Sequence, residues 1–345
     1  MRPETESDLA EAIRTAAGPL RIVGGATRGL SAEGAPLYTT GLTGVVLYDP
    51  AALTLVVRAG TPLAEVEQLL AAEGQRLPFE PPGLPGSTIG GVVATNASGP
   101  RRVLAGACRD SLIGVRFVDG AGRLVRNGGR VMKNVTGYDL VKLMAGSRGT
   151  LGVLSEVAFK LAPAAPATVT LRLACELPAG LAALTAALTA PFDVTGAAWA
   201  AGAAWLRIEG LPGSVDYRAG RLTALLGRFG EVTREAGDWE ALAQARALDG
   251  QPGDLWRFAL KPSDAAAVAA RLAVPVVVDW GGGLLWARLP EGVDARAEAA
   301  PFEGHAQRLS GPPLRRDHPQ PPDIAALSAA LRARFDPRGI LNREG

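Results

Sequence analysis

The stretch that most limits what this chain can fold into runs from Pro81 to Arg102 and reads PPGLPGSTIGGVVATNASGPRR. Gly83, Gly86, Gly90, Gly91 and Gly99 alternate there with the hydroxyls of Ser87, Thr88, Thr95 and Ser98. Glycine lets a backbone take left-handed dihedrals and approach a ligand with no Cβ in the way. Successive N–H groups in such turns form an anion-binding concavity, and neighbouring hydroxyls add donors. The residues therefore read as a main-chain cradle for a phosphate-bearing cofactor, or as a loop that needs tight turns. The stretch lacks the G-x-x-x-x-G-K-[ST] of a P-loop. Gly24-Gly25-Ala26-Thr27-Arg28-Gly29 misses the dinucleotide fingerprint at Ala26, which disfavours a Rossmann fold. Ala145-Gly146-Ser147-Arg148-Gly149 has the wrong spacing for a nucleophile elbow.

A short apolar strand, Leu20 to Val23, feeds directly into the Gly24–Gly29 turn, a natural place for a second phosphate contact. Arg28 could add a charge-assisted hydrogen bond worth about 1.5–3 kcal/mol if shielded from water, or could be a solvated surface arginine. Before that strand, Ser7 to Ala17 reads as a helix with Leu9, Ile13 and Ala16 on one face. Thr61-Pro62 starts a helix that ends at Glu73, before Gly74. Strands are expected at Gly44–Tyr48, Leu53–Ala59, Leu112–Val118, Arg123–Arg126 and Val153–Leu161. Pro163 and Pro166 mark a domain boundary, after which two similar rounds of strands and helices suggest an antiparallel sheet backed by helices. Residues 301–322 are Pro-rich and poorly periodic, the pattern of a long loop, and Ile324–Phe335 reads as a last amphipathic helix.

Composition enters by exclusion. The chain has 345 residues and a formal charge of +2, which leaves no electrostatic footprint for nucleic acid. Cys108 and Cys175 lie far apart, and with only His305 and His318 there is no spaced ligand set for zinc or iron–sulfur; no metal is expected. The acidic, amphipathic N-terminus has no apolar signal core, and no apolar run approaches a membrane span. A cytoplasmic protein is expected.

Taken together, the glycine cradle, the upstream glycine turn and the Gly149–Val153 strand entry resemble the vanillyl-alcohol-oxidase/p-cresol-methylhydroxylase (PCMH) type of FAD-binding domain. Within that superfamily the chain resembles the family of glycolate oxidase (glycolate dehydrogenase) E subunits. The matching residues include Val57-Arg58-Ala59-Gly60-Thr61-Pro62-Leu63, Pro78-Phe79-Glu80-Pro81-Pro82, Gly99-Pro100-Arg101-Arg102, Arg109-Asp110, Val131-Met132-Lys133-Asn134-Val135 and Gly137-Tyr138-Asp139-Leu140. They continue at Leu151-Gly152-Val153-Leu154, Asp279-Trp280-Gly281-Gly282, Gly304-His305-Ala306 and Phe335 to Asn342.

The resemblance implies an α+β protein: a PCMH-type FAD-binding domain of two subdomains over 1–163, and a smaller antiparallel α+β lobe over 164–300. Residues 301–345 are then expected to form a loop and helix that pack back on the FAD domain. Gly24, Gly25, Ala26, Thr27, Arg28 and Gly29 would meet the FAD pyrophosphate. Gly86, Ser87, Thr88, Gly90, Gly91, Asn96 and Gly99 would line the pyrophosphate, ribityl and flavin path, and Gly149, Gly152 and Val153 would meet the cofactor from the strand entry. Arg101 and Arg102 would supply charge there or form surface salt bridges.

Flavin carries the redox chemistry, while oxidation of a 2-hydroxy acid also needs a base for the hydroxyl proton. His318 lies in a polar loop, and His305 matches a family position and is the candidate base. The related catalytic subunits carry an H-x-G-D-G-N motif that is absent here. The expectation is a FAD-dependent oxidoreductase subunit whose partners, a larger FAD-linked subunit and an iron–sulfur subunit, hold the substrate site and take the electrons. A stand-alone 2-hydroxy-acid oxidase and a non-redox structural subunit are the alternatives. The complex leaves room for a peripheral position on the inner face of the cell membrane. Neither glycine turn contains a histidine or cysteine, so FAD is expected to bind without a covalent link.

Overall fold

The computed structural model describes residues 1–28, 32–129, 138–310 and 318–342. The chain divides into two compact units: Met1–Ser98 with Gly106–Ala164 and Gln320–Gly345, and Gly99–Ala105 with Ala165–Pro319.

In the first unit, a capping box between Thr5 and Asp8 starts the helix Glu6–Arg14, which buries Leu9 and Ile13. These pack with Leu20, Leu37, Val153 and Leu341 in a small core. The strands Leu20–Val23 and Ala35–Tyr38 pair in parallel above it. Leu20 bridges in parallel to Leu341, so the end of the chain borders this pair. A second subdomain is a five-stranded antiparallel sheet in the order Val45–Asp49, Thr54–Arg58, Val153–Lys160, Leu112–Val118, Leu124–Gly128. Its core gathers Phe79, Phe117 and Phe159 with Val66 and Leu70 of the helix Leu63–Ala72.

The second unit is built on an eight-stranded antiparallel sheet. Each half runs strand, helix, two strands, helix, strand, the split β-α-β-β-α-β arrangement. The halves are joined where Trp199 pairs with Val278. Period-2 alternation puts Trp256, Phe258 and Leu260 of the strand Asp254–Leu260 into the core and leaves Leu255, Arg257 and Ala259 on the other face. The helix Pro212–Leu226 buries Val215, Ala219, Leu222 and Leu226, a helical stripe.

Two expectations need correction. The segment expected as a long loop contains a strand, Gly304–Arg308, that pairs with Asp254–Leu260 as the sheet edge, and the second unit accordingly runs to Pro319. The final helix, Pro322–Phe335, lacks the buried apolar face expected of it: it buries none of its residues and Ile324, Leu327 and Leu331 are exposed, although its segment groups with the first unit and Phe335 lies half-buried against Phe117. Val131–Gly137, within the motifs that carry the resemblance, lies outside the described residues.

Candidate functional site

The strand Leu20–Val23 ends at Gly24, and the turn that follows lies directly on the Pro81–Arg102 stretch. A Cβ on Gly25 would stand 1.8 Å from the Gly86 carbonyl oxygen, so only glycine allows the two turns to meet. The hydroxyls of Thr27 and Ser87 share a hydrogen bond of 2.9 Å. Arg28 Nη2 donates to the Pro82 carbonyl at 3.0 Å and to Ser87 Oγ at 3.2 Å. Burial lowers the Arg28 pKa to about 10, which leaves the guanidinium charged at neutral pH. Arg28 is therefore a brace between the two turns rather than a solvated arginine.

Thr88 caps the short helix Ile89–Ala94, its Oγ1 accepting from Gly91 N–H at 3.2 Å. The helix buries Ile89, Val92 and Val93, and Gly90 N–H donates to the Ala59 carbonyl at 2.7 Å. It stops at Asn96, which is left-handed (φ 49°). Asn96 N–H donates to Val93 O and Ala97 N–H to Val92 O, both at 2.9 Å, a Schellman ending. Asn96 Oδ1 accepts from Arg109 N–H at 3.0 Å, so this side chain fixes the helix end. Gly146 N–H and Arg148 N–H donate to Val93 O and Ala94 O, which attaches the turn leading to Gly149.

Between these elements lies a narrow cleft enclosing about 60 Å³, a slot for part of a cofactor rather than for a whole dinucleotide. Gly24, Gly90, Gly91, Gly149 and Gly152 give it peptide walls, with Val153, Ile22, Ala59 and Leu154 as apolar surface. Among the described residues, Arg148 is the one charged residue that lines it, and no carboxylate does. Six of the sequence candidates thus share one cleft: Gly24, Gly90, Gly91, Gly149, Gly152 and Val153. Gly25, Thr27, Arg28, Gly86, Ser87 and Thr88 form the adjoining double turn, and Ala26 is exposed on it with φ 54°. Gly29 lies outside the described residues. Gly99 belongs to the second unit, where its carbonyl accepts from Trp280 Nε1 at 3.1 Å.

Sequence reasoning passed over Thr39, Ala94, Arg148 and above all Asn342. Asn342 Oδ1 accepts from Ile22 N–H and its Nδ2 donates to Arg148 O, both at 2.6 Å. One side chain thereby ties the first strand to the turn before Gly149. Its position at the end of the Phe335–Asn342 motif was the available signal; nothing local in the sequence points it at the cleft.

The remaining candidates lie elsewhere. His305 is exposed on the edge strand, opposite Ala259. His318 is engaged by the same strand: its Nδ1 accepts from Ala306 N–H at 3.4 Å, and its ring meets Phe302 edge-on. Burial, then Arg296, lower its pKa below the usual histidine value. Cys108 is fully buried, and burial pushes its thiol pKa well up, so it is an inert core residue. Among the described residues, no group of three or more His, Cys, Asp or Glu could hold a metal ion. No helix among them is long and apolar enough to cross a membrane.

A slot walled by glycine peptides, with no carboxylate among its described lining residues, Arg148 on its wall and Arg28 in the adjoining double turn, fits a flat, diphosphate-bearing cofactor. The comparisons agree. Residues 1–128 match the family described as FAD binding domain (FAD_binding_4). The chain is 37% identical over 312 residues to glycolate oxidase subunit GlcE of Escherichia coli K12, covering 87% of this chain and 83% of that protein. A shorter match, 37% identical over 115 residues, is to glycolate oxidase subunit GlcD of Bacillus subtilis 168 and covers 33% of this chain and 24% of that protein. In fold, the chain is similar to a solved alkyldihydroxyacetonephosphate synthase, with a TM-score of 0.72 at 13% identity, over 100% of this chain and 75% of the other.

Proposed function

Because the chain belongs to the family of glycolate oxidase subunit GlcE, we propose that it is the FAD-binding subunit of a complex that oxidises glycolate, and other small 2-hydroxy acids, to the 2-oxo acid. The observation that carries this reading is the cleft itself: glycine peptides on both sides, with a Cβ at Gly91 meeting only the Thr88 hydroxyl, at 3.2 Å. FAD, when bound, supplies the two-electron redox chemistry, and the protein's share is to hold and orient it. Gly24, Gly25, Ala26, Thr27 and Gly29, with Gly86, Ser87 and Thr88, are assigned to the pyrophosphate. Arg28 holds their two turns together and contributes positive charge beside them. Gly90, Gly91, Gly149, Gly152 and Val153 are assigned to the rest of the cofactor, with Asn96 and Asn342 keeping the walls in register and Gly99 beginning the downstream limb.

The substrate site is assigned to a partner. A 2-hydroxy acid needs a base at its hydroxyl, and the H-x-G-D-G-N motif of the related catalytic subunits is absent here. A larger FAD-linked subunit and an iron–sulfur subunit are the partners this role requires. The complex is assigned to the cytoplasm, with a peripheral position on the inner face of the cell membrane.

The test is to titrate the purified chain with FAD, and to follow glycolate oxidation by the chain alone and by the co-purified complex. One FAD per chain, no turnover alone, and complex activity within a few-fold of wild type for His305→Ala are expected. Turnover by the isolated chain that falls by about 10²-fold on His305→Ala would make this a stand-alone oxidase. A chain that takes up no FAD would be a structural subunit.

A further inference from the structure

Residues Gly99–Ala105 belong to the second unit although Ser98 before them and Gly106 after them belong to the first. The base of this excursion is closed by Cys108 N–H donating to Ser98 Oγ at 2.9 Å and Arg109 N–H donating to Asn96 Oδ1 at 3.0 Å. Gly99 and Pro100 at its start are buried, whereas its tip, the four-residue helix Arg102–Ala105, buries no side chain.

Its side-chain anchors are polar and directional. Arg101 Nε and Nη2 donate to the two carboxylate oxygens of Glu209 at 2.9 and 2.8 Å. The side chains are only 19% and 3% exposed. Trp280 Nε1 donates to the Gly99 carbonyl, and the Arg102 guanidinium lies 4.3 Å from the Trp280 ring centroid. Trp280 itself is left-handed, φ 55°, a conformation that costs energy in a bulky residue and persists where its surroundings impose it.

We propose that Arg101 and Glu209 are a latch that positions the FAD helix. The pair holds Gly99–Ala105 in one orientation, and four residues of chain, Thr95 to Ser98, carry that constraint to the end of the helix Ile89–Ala94. This inference rests on the assignment of that helix to FAD. A bidentate guanidinium–carboxylate fork fixes angle as well as distance, which suits a positioning role. Buried ion pairs add little net stability over apolar replacements, so a pair kept here is better explained by the geometry it imposes. Glu209 also lies 3.8 Å from Arg207 Nε, so its carboxylate has a second cation when Arg101 is removed.

The experiment compares the full-length wild type with Arg101→Met, Arg101→Lys, Glu209→Gln and the Arg101→Met/Glu209→Gln double variant. FAD affinity is read by quenching of flavin fluorescence, thermal stability by melting, and strap opening by hydrogen exchange of the 99–105 peptide. Arg101→Met and Glu209→Gln are each expected to weaken FAD binding about tenfold, and the double variant no more than either, as for two ends of one interaction. Arg101→Lys is expected in between, because an ammonium cannot reproduce the fork. Exchange at 99–105 should rise in each. Should Glu209→Gln fail to fold, Arg101→Met and Arg101→Lys decide the matter. A folded Arg101→Met protein with FAD affinity within twofold of wild type, or losses that simply add in the double variant, overturns the latch. If the wild type binds no FAD, the assignment of function fails instead, and unchanged exchange at 99–105 in Arg101→Met would separately overturn the latch.

Discussion

Gly90 and Gly91 are neighbours in one helical turn, yet the space around them differs. A Cβ on Gly90 would lie 2.6 Å from the Ala59 carbonyl oxygen and 2.7 Å from the Ala59 Cβ, whereas one on Gly91 meets only Thr88 Oγ1 at 3.2 Å. Neither residue has a positive φ, so close approach and not backbone strain makes them glycines. Gly91→Val is therefore expected to give folded, soluble, colourless protein with FAD affinity down at least tenfold. Gly90→Val is expected to lose about 1–3 kcal/mol of stability by overpacking, whether or not FAD is present. Melting curves and flavin absorbance separate the two; stoichiometric FAD on Gly91→Val would remove this cleft from the cofactor path. The sequence treats the pair as interchangeable members of a cradle. Only Ala59, one residue past the strand Thr54–Arg58, tells them apart.

At the scale of elements, the informative case is the strand Gly304–Arg308. Its residues are polar, short and set among prolines, and only Ala306 and Arg308 are buried. Such a segment has too few alternations to read as a strand and is typical of an edge, where polar residues discourage further pairing. The tertiary partner Asp254–Leu260 makes it one. His318 then closes this edge through its Nδ1, an acceptor only in the neutral ring. Burial and Arg296, opposed by Asp294, hold the folded-state pKa below the unfolded value. The unfolded chain thus takes up the proton first as pH falls, so this contribution is complete above about pH 6.5 and declines below it. The melting temperature of the wild type is expected to drop between pH 7.5 and 5.5 by more than that of His318→Gln. Parallel pH profiles for the two proteins would show that the imidazole carries no such linkage.

For the molecule as a whole, retention of the flavin must come from summed peptide hydrogen bonds and from burial of its rings. The described part of the first turn offers no nucleophile, the double turn has no cysteine or histidine, and Cys108 is sealed in the core with its thiol protonated. Acid precipitation of the holoprotein is expected to leave the yellow colour in the supernatant. Flavin that stayed in the pellet and travelled with a peptide containing Cys108 or His305 would overturn a non-covalent site.

What the sequence by itself determined is what depends on local spacing. Glycine turns after a short strand, a helix start at Thr61-Pro62, strand runs in both sheets and two similar rounds after Pro166 are all written in neighbouring residues. Six of the candidate residues on the cleft were legible for that reason. The tertiary structure alone decided which distant groups complete the site and which candidates are spent elsewhere. Asn342 reaches Ile22 and Arg148 only because Leu341 borders the first strand. Arg101, expected to supply charge to the cofactor or to a surface pair, is instead bound to the buried carboxylate of Glu209. The physical reason is the same in both cases. A hydrogen bond or ion pair depends on where a side chain's partner ends up in space, and residues far apart in the chain carry no local pattern that records the meeting.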